Sequence, residues 1–166
     1  MKMDLIQPFI NSLDAVIAET MGCSAEIADV TMDEGTYQRT GIAALVAISG
    51  EIQGRVVLDM DMAAAQKATS DITGAAGTPT EETARETVCE LTNMVIGNAV
   101  TQLNNSGFKF RVHPPEIYAT ETAVQKTPDT EAVVLRFETP NGAVYLNIAV
   151  RYHLRRAGST ANTLCP

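Results

Sequence analysis

The feature that most constrains this chain is a pair of apolar, β-branched runs joined by Thr139-Pro140-Asn141-Gly142. Proline presets the φ of a turn corner, and the Asn-Gly step tolerates the conformations that follow. The flanking runs are therefore committed to an antiparallel hairpin. Ala132 to Glu138 forms its first strand and Ala143 to Tyr152 returns. In the returning strand Val144, Leu146, Ile148 and Val150 alternate with Tyr145, Asn147 and Arg151. A period of two puts the first set on one face, so the pattern predicts a strand buried on that face.

Other segments supply the neighbours such a strand needs. Ile42 to Ile48 is a second apolar run, Ser49-Gly50-Glu51 a turn, and Gly54 to Leu58 its partner strand. Ala25 to Met32 reads as a further strand, as do Lys109 to Val112 and Glu116 to Ala119 on either side of His113-Pro114-Pro115. A first helix runs from Leu5 to about Met21, with Pro8 in its first turn, Phe9, Leu13, Val16 and Ile17 at helical spacing, and Gly22 ending it. Asp59 or Asp61 is expected to cap a second, Met62 to Ile72, which stops at Gly74. Thr80 is expected to cap a third, with Glu81, Glu82 and Glu86 near its positive end; it runs to about Asn105 and Ser106-Gly107 closes it.

The order is helix, strand, hairpin and short helix, then long helix, strand and hairpin. It predicts an α+β fold with an internal pseudo-repeat: a mostly antiparallel sheet and three main helices packed on it in two layers. Residues 1–152 are expected to form one domain. The stretch Ala157 to Pro166 has few large apolar residues, so 153–166 reads as a C-terminal tail.

Composition narrows the function classes. The 166 residues, 45% hydrophobic and 19% charged, are enough for one continuous core. A net charge of −8 argues against a nucleic-acid partner, since the only basic cluster is Arg151, Arg155 and Arg156. Cys23, Cys89 and Cys165 lack metal-ligand spacing, and His113 and His153 stand apart from them, so no structural metal is expected and the thiols read as free in a reducing compartment. Met1-Lys2-Met3-Asp4 lacks the head of a secretory signal, and no stretch approaches the roughly 20 apolar residues that span a bilayer. The expectation is a cytoplasmic protein without a membrane partner.

On a helical wheel, residues 82–104 separate into two sides. Val88, Leu91, Val95, Ala99 and Leu103 form a core stripe, and Glu86, Glu90, Asn93, Gly97, Thr101 and Asn104 lie opposite. A solvent-facing side carries Glu and Asn in many helices without function. Here, however, Asn93, Gly97 and Asn104 are poor helix formers, each costing roughly 0.5–1 kcal/mol on one exposed stripe. Gly97, one turn beyond Asn93, removes bulk at its centre. Such a stripe reads as a docking face.

The segment Glu90-Leu91-Thr92-Asn93-Met94-Val95-Ile96-Gly97-Asn98-Ala99 resembles the signature helix of the CheC, CheX and FliY phosphatases. Gln7-Pro8-Phe9-Ile10 resembles the start of CheX proteins, Ile48 to Gly54 their central hairpin, and His113-Pro114-Pro115 the prolyl step after the signature helix. The likeness covers about residues 3 to 152, in order and at compatible spacing. Carried over by residue, the family's acid and amide fall on Glu90 and Asn93, and Glu86 stands where the family often has Asp or Ser. The first helix lacks the second Glu-x-x-Asn of CheC proteins, so one site per chain is the CheX pattern.

The resemblance implies a substrate: the aspartyl phosphate of a CheY-like response regulator, whose receiver brings its own Mg²⁺ and lysine. No cofactor on this chain is then required. Phosphoryl transfer is mostly positioning and charge stabilisation. Asn93 would accept from the attacking water, Glu90 would pair with the receiver's lysine, and Glu86, Gly97 and Thr101 would line the docking surface. The resemblance also implies a homodimer joined through sheet edges. The alternative is a non-catalytic dimeric interaction module in a chemotaxis or two-component signalling complex. A small-molecule binding domain would need a phosphate loop or polar pocket signature, which the sequence lacks.

Overall fold

The computed structural model describes residues 3–33, 37–118 and 131–152. In chain order the elements are α1 (Met3–Met21), β1 (Glu26–Asp33), β2 (Ile42–Gly50), β3 (Ile52–Met60), α2 (Met62–Thr73), α3 (Glu81–Asn105), β4 (Phe110–Val112), β5 (Glu116–Ile117), β6 (Ala132–Thr139) and β7 (Gly142–Tyr152). Both hairpins form where the turn residues require them. Pro140 and Asn141 are the corner residues between the paired Thr139 and Gly142, and the helices pack on the antiparallel sheet as expected.

The strands form one antiparallel sheet in the order β1-β6-β7-β3-β2-β4, with β5 also on β2. The order is symmetric about the β3–β7 pair. Each half contributes its hairpin to the middle and sends its remaining strand across: β1 pairs with β6, while β4 and β5 pair with β2. The repeat read from element order is therefore present in the topology, with edge strands exchanged. At the centre, Gly54 has φ +141°, and a Cβ there would lie 1.8 Å from the Ala149 carbonyl oxygen. Glycine alone lets β3 and β7 close up at that point.

The main core lies between sheet and helices. Val46, Val56, Leu58, Phe137, Leu146 and Ile148 meet Leu13, Val16, Val88, Leu91 and Val95, each at most 2% exposed. Replacing a buried leucine such as Leu91 by alanine would cost about 2–5 kcal/mol.

One expectation fails, and another holds for the cap position but not for its side chain. Asn147, assigned by alternation to a polar face, is fully buried. The face away from the helices is covered by a second, smaller cluster of Tyr37, Ala43, Val57 and Tyr118, with Leu45, Val134 and Tyr145 against it. There Asn147 Oδ1 accepts from Arg55 Nη1 at 3.0 Å. Nor do the aspartates cap α2 through their side chains. Asp59 faces that second cluster, fully buried, and accepts from the Tyr37 hydroxyl at 2.6 Å and from the Thr40 and Gly41 amides at 2.6 and 3.1 Å. Asp61 holds the cap position, but its carboxylate accepts instead from the Ala143 amide and the Thr40 hydroxyl, tying the start of α2 to β7. Long-range donors outcompete the local ones at both positions.

Helix α2 does stop at Gly74, in the left-handed conformation, and Thr80 does cap α3, its hydroxyl oxygen accepting from the Thr83 amide at 3.2 Å. Ala119 and the predicted tail 153–166, with His153, Arg155, Arg156 and Cys165, lie outside the described residues.

Candidate functional site

The site is built on α3, the longest helix described. Its apolar stripe makes the helix lie down on the sheet: Val88, Leu91, Val95, Ala99 and Leu103 are all buried. With that side fixed, the 3.6-residue period turns Glu86, Glu90, Asn93, Gly97, Thr101 and Asn104 to solvent, and all six are exposed. The structure thus brings together on one side every residue assigned to the site from sequence.

Behind this face the buried hydroxyls are satisfied. Thr92 Oγ1 donates within the helix to the Val88 carbonyl at 2.6 Å. Ser12 Oγ, on α1, donates to the Val95 carbonyl at 2.6 Å, also buried. Ser12 went unassigned from sequence; its one signal is a hydroxyl set between Phe9, Leu13 and Val16, where solvent cannot satisfy it. A buried hydroxyl needs a partner, and this one finds it on α3.

In front, the groups are free. Among the described residues, the side chains of Glu86, Glu90 and Asn93 make no hydrogen bond or ion pair with the chain. Glu90 and Asn93 stand three residues apart, so they are neighbours on the helix surface. Thr101 differs: its hydroxyl donates back to the Gly97 carbonyl at 3.0 Å, so its proton is committed and only its lone pairs and methyl face out. Apart from its chain neighbours and its own helix backbone, Gly97 has no atom of the described residues within 4 Å of where a Cβ would stand. The stripe is a low floor of backbone at Gly97, with a carboxylate and a carboxamide beside it.

This arrangement has two chemical capacities. A carboxamide accepts at oxygen and donates at nitrogen, so it can hold a water by one end while anchoring the other. An exposed carboxylate can pair with a cation on an incoming surface. The half-buried Cys89 thiol, next to Glu90, is pushed up by burial and is held as the unreactive thiol. Among the described residues no group of three or more His, Cys, Asp or Glu could hold a metal ion, and no helix is long and apolar enough to cross a membrane.

Comparison with known proteins bears on the family and the fold. No curated protein sequence matches the chain. A CheC-like superfamily protein from Shewanella sp. PV-4 shares its fold, with a TM-score of 0.79 at 21% identity over 91% of this chain and 99% of that one. The chemotaxis protein CheX from Vibrio vulnificus gives 0.75 at 20% identity, over 89% and 96%. A CheX from Borrelia burgdorferi, solved in a complex with CheY, BeF3 and Mg²⁺, gives 0.67 at 25% identity, over 90% and 99%. Residues 42–138 match the family of the chemotaxis phosphatase CheX. That segment is more than half of the chain and contains the whole of α3, and this protein belongs to that family.

Proposed function

We propose that this chain hydrolyses the aspartyl phosphate of a CheY-like response regulator through the exposed face of α3. The observation that carries the reading is the Glu90–Asn93 pair: exposed, without partners among the described residues, and set on a helix anchored from behind by Ser12 of α1. Asn93 Oδ1 accepts from a water in line with the phosphorus, and the water's oxygen attacks as the aspartyl oxygen leaves. Glu90 pairs with the receiver's lysine and sets the register. Glu86, Gly97 and Thr101 line the seat, and the receiver supplies its own Mg²⁺. Orientation of a water is enough to matter: well-aligned reactants gain up to about 7–11 kcal/mol. The Borrelia relative, caught with CheY, BeF3 and Mg²⁺, supports the choice of partner.

The direct test follows the decay of the phosphorylated receivers of the same cell, with and without this protein. Acceleration of at least one of them is expected; unaltered decay of all would leave the runner-up, a non-catalytic docking module.

The working unit we propose is a homodimer joined through β1. That strand is a sheet edge, and its Ile27, Val30 and Met32 are exposed beside Met3 of α1 in an apolar groove. Long apolar edges without a cover invite pairing. Sedimentation should give twice the chain mass, and Val30→Asp should halve it; a monomeric wild type would exclude the dimer.

A further inference from the structure

Gly97 is out of place by the standards of its own chain. Every other glycine among the described residues has a reason inside the fold: a positive φ, or, at Gly41, a Cβ that would lie 2.0 Å from the Met60 carbonyl oxygen. Gly97 has neither. It lies within a 25-residue right-handed helix, and beyond that helix's own backbone a Cβ there meets nothing of the described residues within 4 Å. Alanine at this position would fit the isolated protein and make a better helix. Nothing within the described structure favours the absent side chain.

Its surroundings show where the reason lies. Gly97 is one turn beyond Asn93 on the same exposed stripe, and the next residue along it, Thr101, folds its hydroxyl onto the Gly97 carbonyl rather than reaching outward. The missing side chain lowers this stretch of surface, and the Thr101 hydroxyl is spent on its backbone. The gap has helix backbone as its floor, directly beside the acid–amide pair.

We infer that the phosphorylated receiver makes its closest approach to this protein at the Gly97 backbone, so that Gly97 determines how near the phosphoryl group comes to Asn93. This rests on the proposed function and adds a distance requirement to it. A side chain at Gly97 would hold the receiver off by the width of a methyl or an isobutyl group. Asn93 and Glu90 would be unaltered but out of reach. Gly97 is thus a positioning residue, selected for its absence of bulk.

The test compares Gly97→Ala and Gly97→Leu with the wild-type protein. Ala and Leu have nearly equal helix propensities, so any effect of stiffening the helix is the same in both, whereas an effect of bulk is graded. Three readouts are taken: Tm, affinity for the receiver loaded with beryllium fluoride and Mg²⁺, and kcat/KM for dephosphorylation. Both variants should melt about 2–4 °C higher than wild type. Affinity and kcat/KM should fall about tenfold for Ala and more than a hundredfold for Leu. Equal losses in the two, or no loss with Leu, would overturn the inference. Were the wild type to bind the loaded receiver without hydrolysing its phosphate, the proposed activity would fall, and graded loss of affinity would still support the contact at Gly97. A wild type that neither binds nor hydrolyses would remove both.

Discussion

Ser12 Oγ on α1 donates a 2.6 Å hydrogen bond to the Val95 carbonyl on α3, in the interior and two residues past Asn93. The bond crosses between two helices at the level of the acid–amide pair. Replacing Ser12 by alanine removes the donor while leaving the Cβ in place. A loss of about 0.5–1.5 kcal/mol is expected, lowering Tm by about 2–5 °C. Dephosphorylation at 10 °C should stay within threefold of wild type and fail at a lower temperature on heating. A variant that melts with the wild type would show the bond to be idle.

Asn93→Ala removes the amide from an exposed position, so the fold should be indifferent to it and Tm unchanged or slightly raised. Turnover of the phosphorylated receiver should be abolished, with affinity for its beryllium fluoride form within about threefold of wild type. Retained turnover would sink the water-positioning role.

Glu90→Gln keeps the shape and removes the charge. Both affinity and kcat/KM should fall, by about tenfold, since an ion pair with the receiver's lysine is lost. Raising ionic strength from about 0.05 to 0.5 M should weaken the wild-type complex and leave the variant nearly unaffected, because salt screens charges that meet at a surface. Parallel salt curves for the two proteins would argue against the pairing.

Tyr37 gives the fold an alkaline limit. Burial, and then the Asp59 carboxylate to which it donates at 2.6 Å, hold its hydroxyl well above the usual tyrosine value. The unfolded chain ionises this group near pH 10, whereas the folded protein keeps it protonated. Stability from Tyr37 is therefore fully present below about pH 10 and is lost as pH rises from there towards the folded value. The urea midpoint should drop between about pH 9 and 11, and Tyr37→Phe should drop less over that range while being less stable at neutral pH. Identical slopes in the two proteins would show that Tyr37 is not the group responsible.

The sequence was most legible where one local rule decided the outcome. Thr139-Pro140-Asn141-Gly142 could only be a corner, and the spacing of Val88, Leu91, Val95, Ala99 and Leu103 left one orientation for α3. That orientation exposed Glu90 and Asn93, so their placement followed directly. Asn147 and Asp59 were misread, and the side chain of the cap residue Asp61 is drawn elsewhere, because their environment is set by segments remote in sequence. Tyr37, Thr40 and Ala143 reach them only in the folded sheet. Ser12 was missed for the same reason: its partner is a main-chain carbonyl 83 residues away. Gly97 was noticed as a gap, but that nothing inside the described chain accounts for it became visible only with its neighbours placed.

The exchange of edge strands has a consequence for how the protein is made. Glu26 pairs with Glu138 and Asp33 with Ala132, so among the described strands β1 finds its partner about a hundred residues later in the chain. At the usual pace of the ribosome that interval is on the order of ten seconds. Throughout it, Ile27, Val30 and Met32 have no native strand to lie against, and neither half of the repeat can complete a sheet alone. The sheet therefore closes late in synthesis, and until β6 emerges the first half carries an unpaired strand, the kind of surface on which aggregation starts.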